Sequence, residues 1–197
     1  PAQAGVRAPV HGPGPAVAAP DAGVATVNHD LAVVGGGVVG LSLACALGRE
    51  GLRVGLIESA EPESAPTPET RIDVRVSAIS RASMAWLMSL SAWPDSMVSR
   101  HCAFERMVVW DSGSAGEVEF NAAQLGLDCL GGIVENRALI ASLECEVDRQ
   151  ANVRWYRPAT LEALEAGVED VSLQLDSGRV RARAVAEMLP SCSASTR

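Results

Sequence analysis

The chain has 197 residues, enough for one domain or part of a larger one, and enough to bury a sizeable core. Its formal net charge of −8 argues against nonspecific nucleic-acid binding, and no run of about 20 apolar residues offers a membrane-spanning helix. The cysteines (Cys45, Cys102, Cys129, Cys145 and Cys192) are odd in number, widely spaced and without a C-x-x-C, which points to reduced thiols and away from a disulfide framework or zinc site.

Residues 1–28 are rich in Ala, Pro, Gly and Val, lack periodicity, and are expected to form a disordered tail. They lack the charged start and continuous apolar core of a signal peptide. The stretch DLAVVGGGVVGLSLACALGREGLRVGLIES, residues 30–59, organises the rest of the chain. Leu31 to Val34 reads as a buried parallel strand, Val38 to Arg49 as an apolar helix, Gly51 as its C-terminal glycine, and Arg53 to Ile57 as a second strand. Cys45, inside that helix, reads as core.

Gly35, Gly37 and Gly40 fit G-x-G-x-x-G between the strand and the helix. Gly35 permits a tight turn, Gly37 lets a pyrophosphate approach the backbone, and Gly40 lets the helix pack close to the strand. The helix N-terminus offers N–H groups and partial positive charge to phosphates. Glu58 closes the second strand, placed to accept hydrogen bonds from a ribose and to repel a 2′-phosphate. This β-α-β start predicts dinucleotide binding; a bare glycine motif without the strand, helix and acid would be a weak signal.

A proline-bearing loop, 60–70, leads to RIDVRVSAIS. Arg75 has two readings here: a fork for the ligand's phosphates, or a surface arginine paired with Asp73 or a nearby glutamate. Ser80 is expected to cap a helix bearing Met84, Leu87 and Met88 on one face and ending before Pro94. Phe104 to Trp110 and Glu117 to Asn121 read as a hairpin around DSGSAG, with Trp110 and Phe120 either lining a pocket or, as aromatic residues in strands more often do, packed in core. Leu130 to Val134 leads into a helix with Leu139, Ile140, Leu143 and Val147 on one face. Asn136 is its N-cap or a ligand-facing amide. Val153 to Tyr156 reads as the next parallel strand. Thr160 to Ala166, Val171 to Leu175 and Arg179 to Val185 read as an antiparallel meander, with Arg179, Arg181 and Arg183 on a solvated face. No metal constellation, G-x-S-x-G or P-loop appears, and His11, His29 and His101 are isolated. No catalytic side chain is nominated; a bound cofactor would carry any reaction.

Three segments in this order resemble the flavin-dependent aromatic hydroxylases of ubiquinone biosynthesis, the UbiH/UbiF/VisC-type monooxygenases. They are residues 30–59, then DVRVSAISRASMAWLMSLSAW, then MVVWDSGSAGEVEF followed by LGGIVENRALIASL. The last two are more specific than the glycine motif, and the resemblance covers about residues 29–185. It implies an α/β, Rossmann-like FAD-binding domain with a parallel sheet, a β-meander and a partial second sheet. The implied cofactor-binding set is Gly35, Gly36, Gly37, Val38, Val39, Gly40, Glu58, Arg75 beside the flavin nucleotide, and Asn136 near the ribityl chain. The implied reaction takes electrons from NAD(P)H and places one oxygen of O2 on a polyprenylated phenol. The implied setting is cytoplasmic, at most peripheral at the inner membrane, among other ubiquinone-biosynthesis proteins.

The resemblance divides the chain into the tail 1–28, the FAD-binding portion 29–185 (with 105–121 beginning a substrate-side sheet), and an aberrant tail 186–197. After Val185 the family's Gly-Asp turn is missing, which leads to the expectation of a truncated or frame-shifted product, inactive alone, with a natural start near Val27. Two competing readings are an NAD-linked dehydrogenase fragment and a non-catalytic remnant. FAD against NAD binding separates the first, and sequencing across the codons after Val185 the second.

Overall fold

The computed structural model describes residues 29–67, 69–93, 100–113 and 116–188. The expected tail 1–28 and most of 186–197 lie outside the described residues. Strand β1 (His29–Val34) enters helix α1 (Val38–Arg49), which returns through β2 (Val54–Ile57). The helix bounds are those expected from the glycines: Gly37 stands at its N-cap, and Gly51, at φ +82°, turns the chain after its last residues.

Beyond β2 come β3 (Val76–Ser80), α2 (Arg81–Ser89), β4 (His101–Phe104), β5 (Arg106–Trp110), β6 (Glu117–Asn121), β7 (Gly131–Glu135) and α3 (Asn136–Asp148). Next are β8 (Val153–Tyr156), β9 (Leu161–Ala166), β10 (Val171–Leu175) and β11 (Gly178–Glu187). The main sheet has the order β8-β2-β1-β11-β10-β9. β8, β2, β1 and β11 run parallel, and β9, β10 and β11 form the antiparallel meander.

Alternation along β1 sends neighbouring residues to opposite faces. Val33 packs with Leu41, Cys45, Leu139, Leu143 and Val147 from α1 and α3. Ala32 packs on the other face with Ile57, Leu173, Leu175, Val180 and Ala182. Helix α2 begins as expected, with the Ser80 hydroxyl accepting the Ser83 N–H at 3.2 Å. Its buried side is Leu87, followed by Leu90 just past its end, while Met88 is half exposed and off the expected face. Arg49 of α1 holds the end of α2, donating to the carbonyls of Ser89 and Leu90 at 2.6 Å each.

Three expectations need correction. Phe104 to Trp110 is two strands, broken at Glu105: Phe104 pairs with Gly131 in the sheet β3-β7-β4, whereas Arg106 pairs with Asn121 in the ribbon β5-β6. Trp110 and Phe120 are 69% and 43% exposed, so neither is packed core. Finally, β11 runs through Ala186 and Glu187, past the boundary drawn at Val185. Parallel β1 supplies partners Val33 and Val34 for those residues, and the Met188 N–H still reaches the Val34 carbonyl at 2.9 Å.

Candidate functional site

Parallel sheets place ligands outside the carboxyl ends of their strands. Here β1, β2 and β8 end at Val34, Ile57 and Tyr156, so Gly35, Glu58 and Arg157 come to one edge. Gly35 adopts φ +109°, open to glycine and costly for other residues. A Cβ at Gly40 would lie 1.9 Å from the Gly35 carbonyl oxygen, so α1 meets the turn as closely as the motif requires. A Cβ at Gly36 would lie 2.9 Å from Glu58 Oε2. At Gly37 a Cβ would meet nothing within 4 Å, leaving open space over the start of α1.

Helix α1 has no acidic residue in its first turn and no side-chain cap. Leu41 is the residue whose N–H reaches the Gly37 carbonyl, at 2.9 Å, so the N–H groups of Val38, Val39 and Gly40 have no helical carbonyl to bond. Val39 is exposed beside them, and Val38 packs inward against the core.

Glu58 turns back onto the glycine turn. It accepts the Gly36 N–H at 2.5 Å and the Ala60 N–H at 2.7 Å, so its carboxylate already locks the crossing from β1 to the end of β2. Arg75 directly precedes β3. Its Nε lies 3.9 Å from the Asp73 carboxylate, and it lines a cavity of about 230 Å³ with Gly36, Gly37, Glu58 and Asn136. A long, solvent-exposed pair of this kind holds an arginine weakly.

Asn136 is the first residue of α3, not its N-cap. Glu135 occupies that position without a side-chain cap bond, because the backbone of β7 continues through it and its carboxylate is engaged elsewhere. The Asn136 N–H bonds the Arg75 carbonyl at 3.1 Å, and its Oδ1 is buried without a hydrogen-bond partner among the described residues. A buried acceptor without a partner, on a residue that lines this cavity, is what an absent donor would leave. The open space at Gly37, the bare helix start and this acceptor fit a dinucleotide with a hydroxylated chain.

The structure thus gathers Gly36, Gly37, Glu58, Arg75 and Asn136, all expected from sequence, around one cavity. It adds Arg137 and Arg157, which sequence reasoning missed. Arg137 donates to the Ser64 carbonyl at 2.9 and 3.1 Å, and Arg157 pairs with Glu144 and stacks 4.0 Å over the Trp155 ring. The signal for Arg157 was its place at the end of a parallel strand. A larger concavity, about 490 Å³, lies on the meander beside Glu165, Asp170, Ser172, Arg179 and Arg181. Its lining includes Gly167 of the β9–β10 turn but no helix start, and Arg181 there is paired with Asp170.

The strongly shifted titrating groups lie at the opposite end of β1. Burial, with Arg154 and Arg53 nearby, lowers the His29 pKa to about 4; its Nε2 lies 2.8 Å from the Tyr156 hydroxyl. Hydrogen bonds from Arg53 hold the Asp30 carboxyl well below the usual range. Burial pushes the Cys45 thiol up. Among the described residues, no group of three or more His, Cys, Asp or Glu is placed to hold a metal ion, and no helix is long and apolar enough to cross a membrane.

No protein-family model matches the chain. It is 38% identical over 152 residues to the 3-demethoxyubiquinol 3-hydroxylase of Escherichia coli K12, covering 77% of this chain and 38% of that protein. It is 32% identical over 172 residues to the ubiquinone hydroxylase UbiL of Rhodospirillum rubrum, covering 87% of this chain and 39% of that one. The chain therefore spans about two fifths of the length of these curated relatives. Its fold is similar to that of p-nitrophenol 4-monooxygenase PnpA from Pseudomonas putida, with TM-score 0.62 at 20% identity over 84% of this chain and 41% of that one.

Proposed function

We propose that this chain, a member of the UbiH/UbiF/VisC-type family of FAD-dependent monooxygenases, forms the FAD-nucleotide-binding portion of an aromatic hydroxylase of ubiquinone biosynthesis. The observation that carries this is the cavity itself: an open glycine turn at a helix start, lined also by Glu58, by the weakly held Arg75 and by Asn136, whose amide oxygen has no partner among the described residues. In this reading the N–H groups of Gly37, Val38, Val39 and Gly40 take the pyrophosphate, while the Gly36 N–H stays on Glu58 and holds the turn. Glu58 accepts the adenosine-ribose hydroxyls. Arg75 offsets phosphate charge, and Asn136 accepts a ribityl hydroxyl. Asn136 favours FAD over NAD in this reading, since the ribityl chain belongs to the part of the ligand that the two cofactors do not share.

FAD, when bound, supplies the redox chemistry: electrons from NAD(P)H and activation of O2. The chain's residues bind and orient it, and a polyprenylated phenol is the substrate the relatives' names support. Hydroxylation is assigned to the longer polypeptide that such relatives represent, because substrate placement within about 1 Å governs rates by on the order of 100-fold. The test supplies the purified chain with FAD, NADPH, O2 and a short-chain polyprenylphenol. Flavin uptake without coupled product is expected. Absence of flavin uptake refutes the cofactor reading, and hydroxylated product by mass refutes the assignment of chemistry to the longer chain.

A further inference from the structure

We infer that Arg100 and Glu135 form a buried latch that seats the segment carrying Arg75, making both of them positioning residues for the cofactor; the cofactor half of this inference rests on the FAD reading above. The part of the β2–β3 segment from Thr67 to Arg75 has little apolar anchoring. Its described residues form no helix or strand before β3, and the larger apolar residues Ile72 and Val74 are 59% and 92% exposed. Polar contacts must therefore set its path.

Arg137 holds the first part of the segment at Ser64 and Glu63, and the contacts of the part from Thr67 to Arg75 converge on one pair. The Arg100 and Glu135 side chains are 7% and 1% exposed, with Nη1 and Oε2 2.9 Å apart. Arg100 Nη2 donates to the carbonyls of Thr67 and, at 2.8 Å, Thr70. Glu135 Oε1 accepts the Asp73 N–H at 3.3 Å, and Asp73 Oδ1 accepts the Arg75 N–H at 3.1 Å. The Arg75 carbonyl then accepts the Asn136 N–H, closing a circuit onto the residue after Glu135. The two nominated cofactor contacts, Arg75 and Asn136, are thus tied to this carboxylate through Asp73.

The residue types suit that role. A buried ion pair adds little net stability over an apolar pair of similar volume, so its retention needs another cause. A guanidinium fork can bond a carboxylate and two carbonyls at fixed angles at once; an ammonium cannot match that geometry. The pair therefore specifies where the segment lies more than how firmly the chain folds.

The test uses Arg100→Lys, which keeps the charge and loses the fork. It also uses the paired change Arg100→Met with Glu135→Met, which leaves no buried charge orphaned and carries the comparison if the lysine variant does not fold. In the cofactor-free chain, trypsin should cut after Arg71 and Arg75 about 5-fold faster or more in these variants, as local opening predicts, with cutting after Arg179 unchanged. FAD affinity should fall about 10-fold in the parent background but less than about 2-fold in an Arg75→Ala background, because residues in one network are not additive. Unchanged cutting, or an equal loss of affinity in both backgrounds, overturns the latch. A parent chain that takes up no FAD overturns the cofactor role together with the FAD reading, while the cutting pattern alone still decides whether the pair holds the segment.

Discussion

Gly37→Val and Gly40→Ala should separate binding from folding, although the two glycines stand three residues apart. Gly37 has φ −75° and ψ −179°, a conformation valine adopts, and a Cβ there meets nothing within 4 Å. The cost to the fold is limited to a poorer N-cap, about 1 kcal/mol, or about 2–4 °C in Tm for a chain of this size. The valine instead fills the space a pyrophosphate needs. Each lost hydrogen bond to a charged group is worth about 1.5–3 kcal/mol, so FAD affinity should fall roughly 10- to 150-fold per contact. Gly40→Ala does the reverse. Its Cβ starts 1.9 Å from the Gly35 carbonyl oxygen, against 3.4–4 Å for an ordinary contact, and only backbone movement relieves that overlap. The upper end of overpacking costs, about 3 kcal/mol or more, corresponds to a Tm lower by roughly 6–12 °C. Thermal melts by circular dichroism and FAD titration by flavin fluorescence read both effects. Parental FAD affinity in Gly37→Val, or an equal Tm loss in both variants, would refute the geometry of the turn.

Other parts of the molecule give three further expected outcomes. Glu58→Ala should weaken FAD binding by about 1–3 kcal/mol and also lower Tm, since the N–H groups of Gly36 and Ala60 lose their acceptor; an unchanged Kd by titration removes Glu58 from the site. The folded-state pKa of His29, about 4, lies below its ordinary 6.5, so its contribution to stability is complete above pH 6.5 and is lost as pH falls toward 4. The urea midpoint should therefore drop more between pH 7 and pH 5 in the parent than in His29→Gln, and equal drops would show that His29 is not the group responsible. On the β5-β6 ribbon, Met107, Val109, Val118 and Phe120 share one exposed face. Val109→Lys with Phe120→Lys should raise the concentration at which light scattering begins while changing stability by less than about 1 kcal/mol; a large loss of Tm would mean the face is packed.

Much of the opening unit was legible because its rules are local. Strand, glycines, helix and acid succeed one another within 30 residues, and the bounds of α1 emerge as written in Gly37 and Gly51. The meander was legible from alternation and the turn at Gly178. What escaped is set by distant partners. Nothing near Glu135 announces that its carboxylate meets Arg100, 35 residues earlier, so the cap position fell to Asn136. The break at Glu105 is a change of sheet, set by the separate partners Gly131 and Asn121 on its two sides. Likewise the end of β11 depends on how far β1 extends beside it, and not on its own residues. At the site, the residue types were readable, whereas the balance at Arg75 between Asp73 and the cavity emerges only in three dimensions.

FAD binding by this chain is tested most directly by equilibrium titration of the purified protein with FAD and, separately, with NAD⁺, each read by isothermal calorimetry. The predicted result is saturable FAD binding, a flavin spectrum retained through dialysis, and NAD⁺ binding weaker by at least about 10-fold, as the proposed Asn136 contact to a ribityl chain that NAD⁺ lacks requires. Saturable NAD⁺ binding with no flavin uptake would contradict it and make the chain a nicotinamide-binding one.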